Sequence, residues 1–249
     1  NPPTGRAWQP FVEQAESEEE WTWIDIGNID EQGPEEIALV AYEEGWLRVY
    51  RDLLADPIFV RENKSRPWRA AVIAPFRSRS GGLDLVAIRN SPAGADKFWS
   101  FAYDNGRFRD DYFESFFPPP EFLFMANVDV TASSLDEAFM LLSVPAGVVI
   151  QPRLFSRDDD GDPVLEQTLD EDNGYKAGAG GNIDGDAGDE IVVIRNNRLR
   201  IYLDPRAGSS FVDIGVGTNS RTVHVGDLDA AGFAQPLRLA ANRDLIRDT

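Results

Sequence analysis

Gly181-Asn182-Ile183-Asp184-Gly185-Asp186-Ala187-Gly188-Asp189-Glu190-Ile191-Val192-Val193 is the stretch on which the reading of the chain turns. Side-chain oxygens fall at alternate positions, glycine lies between them, and an acid four places after the last is followed at once by an apolar run. A hard, oxygen-seeking cation such as calcium requires this: a tight loop that turns several carboxylates or amides inward. A second copy, Gly27-Asn28-Ile29-Asp30-Glu31-Gln32-Gly33-Pro34-Glu35-Glu36-Ile37, aligns on the glycine without a gap and agrees at Gly, Asn, Ile, Asp, Glu and Ile. A helix should follow an EF-hand loop; here Ile191-Val192-Val193-Ile194 reads as a strand, which excludes that motif.

Working outward from the two loops, five segments share one form: strand, polar loop, strand, tight turn, strand. The first runs from Trp21–Ile26 through its loop to Ile37–Tyr42, a turn at Glu43-Glu44-Gly45, and Trp46–Tyr50. The second takes Ala70–Ala74, Leu83–Ile88 and Phe98–Tyr103; the third Phe122–Ala126, Ala138–Val144 and Val148–Phe155. The fourth takes Tyr175–Gly181, Ile191–Arg195, an Asn196-Asn197 turn and Leu199–Leu203; the fifth Thr222–Gly226, Leu237–Ala241 and a strand from Leu245. Residues 27, 74, 126, 181 and 226 precede the loops, giving spacings of 47, 52, 55 and 45. Units of that size with about four short strands predict the blades of an all-β propeller, in one domain over 1–249. The blades fall at 21–65, 66–118, 119–170, 171–216 and 217–249. An N-terminal strand, Ala7-Trp8-Gln9-Pro10-Phe11-Val12, is available to close the ring; the alternative is a fragment of a larger propeller. Helical patterning is confined to a turn or two in Val12–Glu20.

The loops resemble the FG-GAP (VCBS-type) repeat family, the blades of integrin α-subunit propellers and of many bacterial surface proteins. The resemblance implies calcium in the loop. It places ligands at Asn182, Asp184, Asp186 and Glu190, with the carbonyl of Gly188 between the last two. In the first unit they are Asn28, Asp30, Gln32 and Glu36, with Pro34 as carbonyl donor. Both loops depart from the family in using Asn first and Glu last, and a neutral first ligand lowers the site charge and the affinity. The other units are degenerate. The third keeps Asn127 and Asp129 but widens before Asp136-Glu137, and the fifth keeps Asp227 and Asp229 but has Ala231 and Gln235 at ligand positions. The second, Arg77-Ser78-Arg79-Ser80, has exchanged acids for cations that substitute for the ion's charge.

Composition bounds the function. The net charge of -19, from 43 acidic and 24 basic residues, excludes a nucleic-acid partner, which requires a basic face. There is no cysteine and hence no disulfide or thiolate chemistry. The longest apolar stretch, Phe139–Ile150, is broken by Pro145 and Gly147 and is too short to span a bilayer. Lacking an initiating Met, the chain reads as a processed or trimmed product. Weak calcium sites fill where the ion is plentiful, so the expected location is extracytoplasmic.

Catalysis finds little support. His224, the only histidine, lies in a predicted inner strand, as a packed core or channel residue. No serine has a nucleophile-elbow context, and no carboxylate pair stands out as an acid and base. The run Arg157-Asp158-Asp159-Asp160-Gly161-Asp162 joins the outer strands of the third unit and reads as a hairpin tip. Most of the aromatics between Phe98 and Phe117 are expected in the inter-blade core, while Phe116-Phe117-Pro118-Pro119-Pro120 offers an apolar surface to a partner. The expectation is a calcium-stabilised, non-enzymatic propeller acting as a protein-binding or structural subunit, possessing no transmembrane segment of its own. It is either free or an accessory of a larger membrane-associated complex. The alternative is a carbohydrate-binding or carbohydrate-active propeller that uses face aromatics such as Trp99.

Overall fold

The computed structural model describes residues 20–30, 33–76, 83–89, 96–116, 120–126, 128, 137–144, 149–157, 163–169, 174–184, 188–205, 210–216, 220–226, 235–240 and 245–247. Among them, all regular structure is strand. The first sheet is β1 (Trp23–Gly27), β2 (Glu36–Ala41), β3 (Trp46–Tyr50) and β4 (Phe59–Glu62). The second is β5 (Trp68–Ala74), β6 (Asp84–Arg89), β7 (Asp96–Asp104) and β8 (Arg107–Phe116). The third is β9 (Pro120–Ala126), β10 (Glu137–Val144), β11 (Val149–Arg157) and β12 (Pro163–Thr168). The fourth is β13 (Tyr175–Gly181), β14 (Glu190–Arg195), β15 (Arg198–Tyr202) and β16 (Phe211–Gly215). The last, with three strands, is β17 (Ser220–Gly226), β18 (Gln235–Ala240) and β19 (Leu245–Arg247). Each sheet is an antiparallel meander whose strands lie side by side in chain order. The segment 7–12 predicted to close the ring, and most of Val12–Glu20, lie outside the described residues.

The sheets stack face to face in sequence, with β1 against β5, β5 against β9, β9 against β13 and β13 against β17. Each apolar cluster is the layer between two neighbours. Ala38, Val40, Leu47, Val49 and Phe59 of the first sheet meet Trp68, Ala71, Ile73, Leu85 and Phe101 of the second. Phe76, Val86, Ile88 and Phe98 then meet Leu123 and Met125 of the third. Phe124 and Ala126 meet Tyr175, Ile191, Val193 and Tyr202 of the fourth, whose opposite face reaches Val223 of the last. A second strand between two such layers is apolar on both sides, which is why Ile191-Val192-Val193-Ile194 is a continuous hydrophobic run with every residue buried. Phe98 and Phe101 are likewise buried, and Trp99 stacks on Phe101 at 5.9 Å between ring centres, bearing out the core role read for these aromatics.

Close approach of the innermost strands depends on small residues. A Cβ on Gly180 would lie 2.2 Å from the Cβ of Ala126 and 2.8 Å from the carbonyl oxygen of Met125, and one on Gly178 would meet the Phe124 ring at 2.3 Å. The glycines of β13 thus let its backbone lie directly on β9. Turns fall where positive φ is tolerated: Asn196 has φ 50° between β14 and β15, and Asn105-Gly106 closes the hairpin from β7 to β8 with φ 50° and 80°.

Among the polar contacts that tie the first two sheets, one lies partly buried between β1 and β5. The inner-edge backbone N–H of Ile73 in β5 donates to Asp25 Oδ2 of β1 at 2.6 Å. Burial raises the Asp25 carboxyl from 3.8 to about 6, against the opposing effect of backbone hydrogen bonds from Ile73 and Ile26. The folded chain therefore binds this proton more tightly than the unfolded chain, so Asp25 makes stability fall as pH rises from about 4 to about 6. Asp25→Asn keeps an acceptor for Ile73 and removes the charge. Urea unfolding should find the variant more stable than the wild type at pH 7.5 by about 1–3 kcal/mol, a gap that closes at pH 4. A gap independent of pH would contradict the assignment.

Candidate functional site

The two best loops have the same internal construction. Gly27 is paired with Glu36 and Gly181 with Glu190, so each loop spans the mouth of the hairpin between the first and second strands of its sheet. Both glutamates are buried, at 0% and 1% exposure, and turn back onto the loop. The N–H of Ile29 donates to Glu36 Oε2 at 2.8 Å. The N–H groups of Ile183 and Asp184 donate to Glu190 Oε2 at 2.5 and 3.2 Å. The residue between the Asn and Asp of each motif goes the other way, into the core: Ile29 is buried and Ile183 packs with Ala177 and Val192. Each loop is thus pinned at two points, an apolar anchor and an acid that accepts its backbone donors.

The remaining units carry the same positions. Ala74 pairs with Asp84, Ala126 with Glu137 and Gly226 with Gln235, so an acid or amide occupies the mouth of every hairpin. Phe76 and Val128, both buried, are the anchors of the second and third loops. The sequence reading took the final acid for a metal ligand alone and missed this latch. The signal available to it was Asp84, an acid retained in a unit whose other oxygen ligands are gone.

Of the residues expected to hold calcium, Asn182, Asp184, Gly188 and Glu190 lie in one loop, and Asn28, Asp30, Pro34 and Glu36 in the other. Asp186 and Gln32 lie outside the described residues, as do Arg77, Arg79, Asn127, Asp129, Asp136, Asp227 and Asp229. No group of three or more His, Cys, Asp or Glu forms a metal-type cluster among the described residues. The chemistry of the donors nevertheless suits a hard cation, for all are oxygens. In the first loop Asn28 Oδ1 and Glu36 Oε1 are buried without a hydrogen-bond partner. Buried oxygens in that state call for a hydrogen-bond donor or a cation.

A positive group stands close to the first loop. Arg51 follows the residue that pairs with Ile37, which sets it across from Glu36. Its guanidinium forms an ion pair with Asp30 and lies 3.5 Å from Glu36 Oε1, and it donates to the hydroxyl of Tyr103 in β7 at 2.7 Å. In the fourth unit the same place is held by Leu203, which follows Tyr202, the partner of Ile191. The buried arginine of that sheet among the described residues is Arg200, in β15, paired through Nε and one terminal nitrogen with Asp213 of β16 at 2.8 and 3.0 Å. It stacks on the Phe211 ring at 3.6 Å. Its hydrogen bonds hold the Asp213 carboxyl below its ordinary range.

His224 lies in β17 as read, but its side chain is exposed, which corrects the packed-core alternative; its neighbour Val223 is the residue that turns into the core. Residues 117–119 and 158–162 lie outside the described residues; the latter connect β11 to β12, the outer strands of the third sheet. Among the described residues no helix is long and apolar enough to cross a membrane.

No protein-family model matches the chain, and no curated protein sequence matches it. Solved structures do. BBS1N in complex with ARL6DN is similar over 95% of this chain and 64% of its own, with TM-score 0.57 and 12% identity. The Bacillus licheniformis rhamnogalacturonan lyase PL11 is similar over 88% of this chain and 46% of its own, with TM-score 0.57 and 14% identity. The Dos1 propeller is similar over 86% and 55%, with TM-score 0.51 and 11% identity. This chain spans about half to two-thirds of the length of those chains. The likeness shows the fold, a β-propeller of antiparallel sheets.

Proposed function

We propose that the chain is a calcium-stabilised, extracytoplasmic propeller of five blades that serves as a protein-binding or structural subunit, as an accessory of a larger assembly. The observation that carries this reading is the pair of loops in which a buried glutamate grips the backbone of an Asn-Ile-Asp turn. The acids there hold the hairpin mouth, a role in stability, and binding is left to the loops between strands. In the fourth loop Asn182, Asp184, Glu190 and the carbonyl of Gly188 would hold the ion, whose charge would offset the carboxylates gathered there. Fold likeness to FG-GAP-type blades is the expectation that the repeated loop supports.

Closure of the ring is part of the proposal. On β1, Asp25 faces the second sheet, whereas Ile24 and Ile26 on the alternate side are 56% and 58% exposed. Two isoleucines side by side on an innermost strand make an apolar face of the kind a closing blade covers. The carbohydrate reading loses its nominated aromatic, since Trp99 packs against Trp68 and Phe101.

The subunit role is tested by cross-linking in native extracts containing calcium, followed by purification of the chain. A stoichiometric protein partner is expected. A chain that runs as a free monomer, with no cross-linked protein, would contradict it.

A further inference from the structure

The first and fourth loops share their backbone latch, yet they differ in one charged residue that lies outside the motif. We infer that the guanidinium of Arg51 is the built-in cation of the first loop, so that a divalent ion is held at the fourth loop and not at the first. This rests on the calcium reading of the fourth loop only for the contrast; the claim about the first loop stands on its own contacts.

Those contacts are specific. Asp30 and Glu36 have side chains 6% and 0% exposed, and each carries a negative charge that burial makes unfavourable without a partner. Arg51 meets both, reaching Asp30 through one terminal nitrogen and Glu36 Oε1 through Nε at 3.5 Å. Its own side chain is 47% exposed, so it approaches from solvent, the side from which an ion would enter. The hydrogen bond to Tyr103 fixes the arginine from the neighbouring sheet and resists its displacement. A divalent ion bound to Asp30 and Glu36 would stand beside this fixed positive charge, a repulsion that weakens binding directly.

Hairpin register turns this into a comparison among units. The residue across from the latch acid is Arg51 in the first sheet, Ala102 in the second and Leu203 in the fourth. A guanidinium therefore stands at this place in the first sheet and an aliphatic side chain in the fourth. Arg51 leaves two loop oxygens, Asn28 Oδ1 and Glu36 Oε1, without hydrogen bonds. The donor set for a divalent ion is thus retained behind the arginine, and removing the arginine should open it.

Calcium alone, titrated calorimetrically into the metal-stripped full chain, is the test. The wild type should bind one equivalent, which Glu190→Gln abolishes or weakens at least tenfold. Arg51→Leu should gain a second site that survives when Glu190→Gln is added. Leu203→Arg, which moves the guanidinium to the fourth loop, should weaken that site at least tenfold. A wild type that binds nothing, with an Arg51→Leu variant that binds one ion, upholds the inference and rejects the calcium reading of the fourth loop. An Arg51→Leu variant that binds as the wild type does overturns the inference, as does a wild type that fills both loops with similar affinity. Should Arg51→Leu fail to fold, an undiminished affinity in Leu203→Arg overturns it instead.

Discussion

Glu190→Ala should lower the melting midpoint of the metal-free chain by roughly 5–15 °C, corresponding to about 2–4 kcal/mol for a domain of this size. Two backbone donors, from Ile183 and Asp184, end on the one oxygen Glu190 Oε2, and the side chain is 1% exposed. Alanine removes the acceptor but not the donors, and an unmet buried N–H costs about 1–3 kcal/mol. It also leaves a cavity at the hairpin mouth, beneath the anchor Ile183. Glu190→Gln retains the shape and one acceptor oxygen, so it should lose less than half as much in metal-free buffer. Equal losses in the two variants would mean that the charge, and not the acceptor, holds the loop. No loss in either would remove the latch.

Arg200→Leu is the second large effect. Arg200 is 5% exposed, bonds Asp213 through two nitrogens and lies over Phe211, with Tyr175 and Tyr202 sharing a hydroxyl contact at 3.2 Å beside it. Removing the guanidinium leaves the Asp213 carboxylate, which is 17% exposed, with only the exposed Arg198 at 3.4 Å, so the cost is about 3 kcal/mol, the lower end for breaking a buried pair from one side. Adding Asp213→Asn should recover half or more of the loss, because a neutral amide has no charge left short of its buried partner. Chemical denaturation of the two variants at pH 7 measures both quantities. A single variant within about 1 kcal/mol of the wild type would show the pair to be solvent-screened. The pH dependence has the opposite sign to that of Asp25. Asp213 is held below its ordinary value, so its contribution is present at neutral pH and is lost as pH falls through the depressed pKa.

How much of this was legible from the sequence differs by strand. The strands that follow the loops, β2, β6 and β14, stand out because they are buried on both faces and written in aliphatics, and Tyr175–Gly181 was bounded as the structure has it. The fourth strands were anticipated only as a count. β16 is largely exposed and β8 runs Arg-Phe-Arg-Asp-Asp-Tyr-Phe-Glu-Ser-Phe, so the alternation that marks a strand is blurred where one face meets solvent. The loops were found from local spacing, but the spacing says only which oxygens are near in sequence. Arg51 lies fifteen places after Glu36 and reaches it through the register of β2 with β3, in which Ile37 faces Tyr50. The turn read at Glu43-Glu44-Gly45 leaves that register uncertain by one residue, which is the difference between Arg51 facing Glu36 and facing Ile37. The latch was hidden for a different reason: an acid that ligates an ion and an acid that accepts backbone N–H groups occupy the same position in a motif.

The central claim, that cation loops hold this propeller together, is tested most directly by the melting midpoint of the wild-type chain in excess calcium and in chelator. With calcium a hundredfold above its dissociation constant, linkage adds about 2.7 kcal/mol, which is a rise of roughly 5–10 °C. That rise is expected in the wild type and should disappear in Glu190→Gln. An identical midpoint in calcium and in chelator would contradict it.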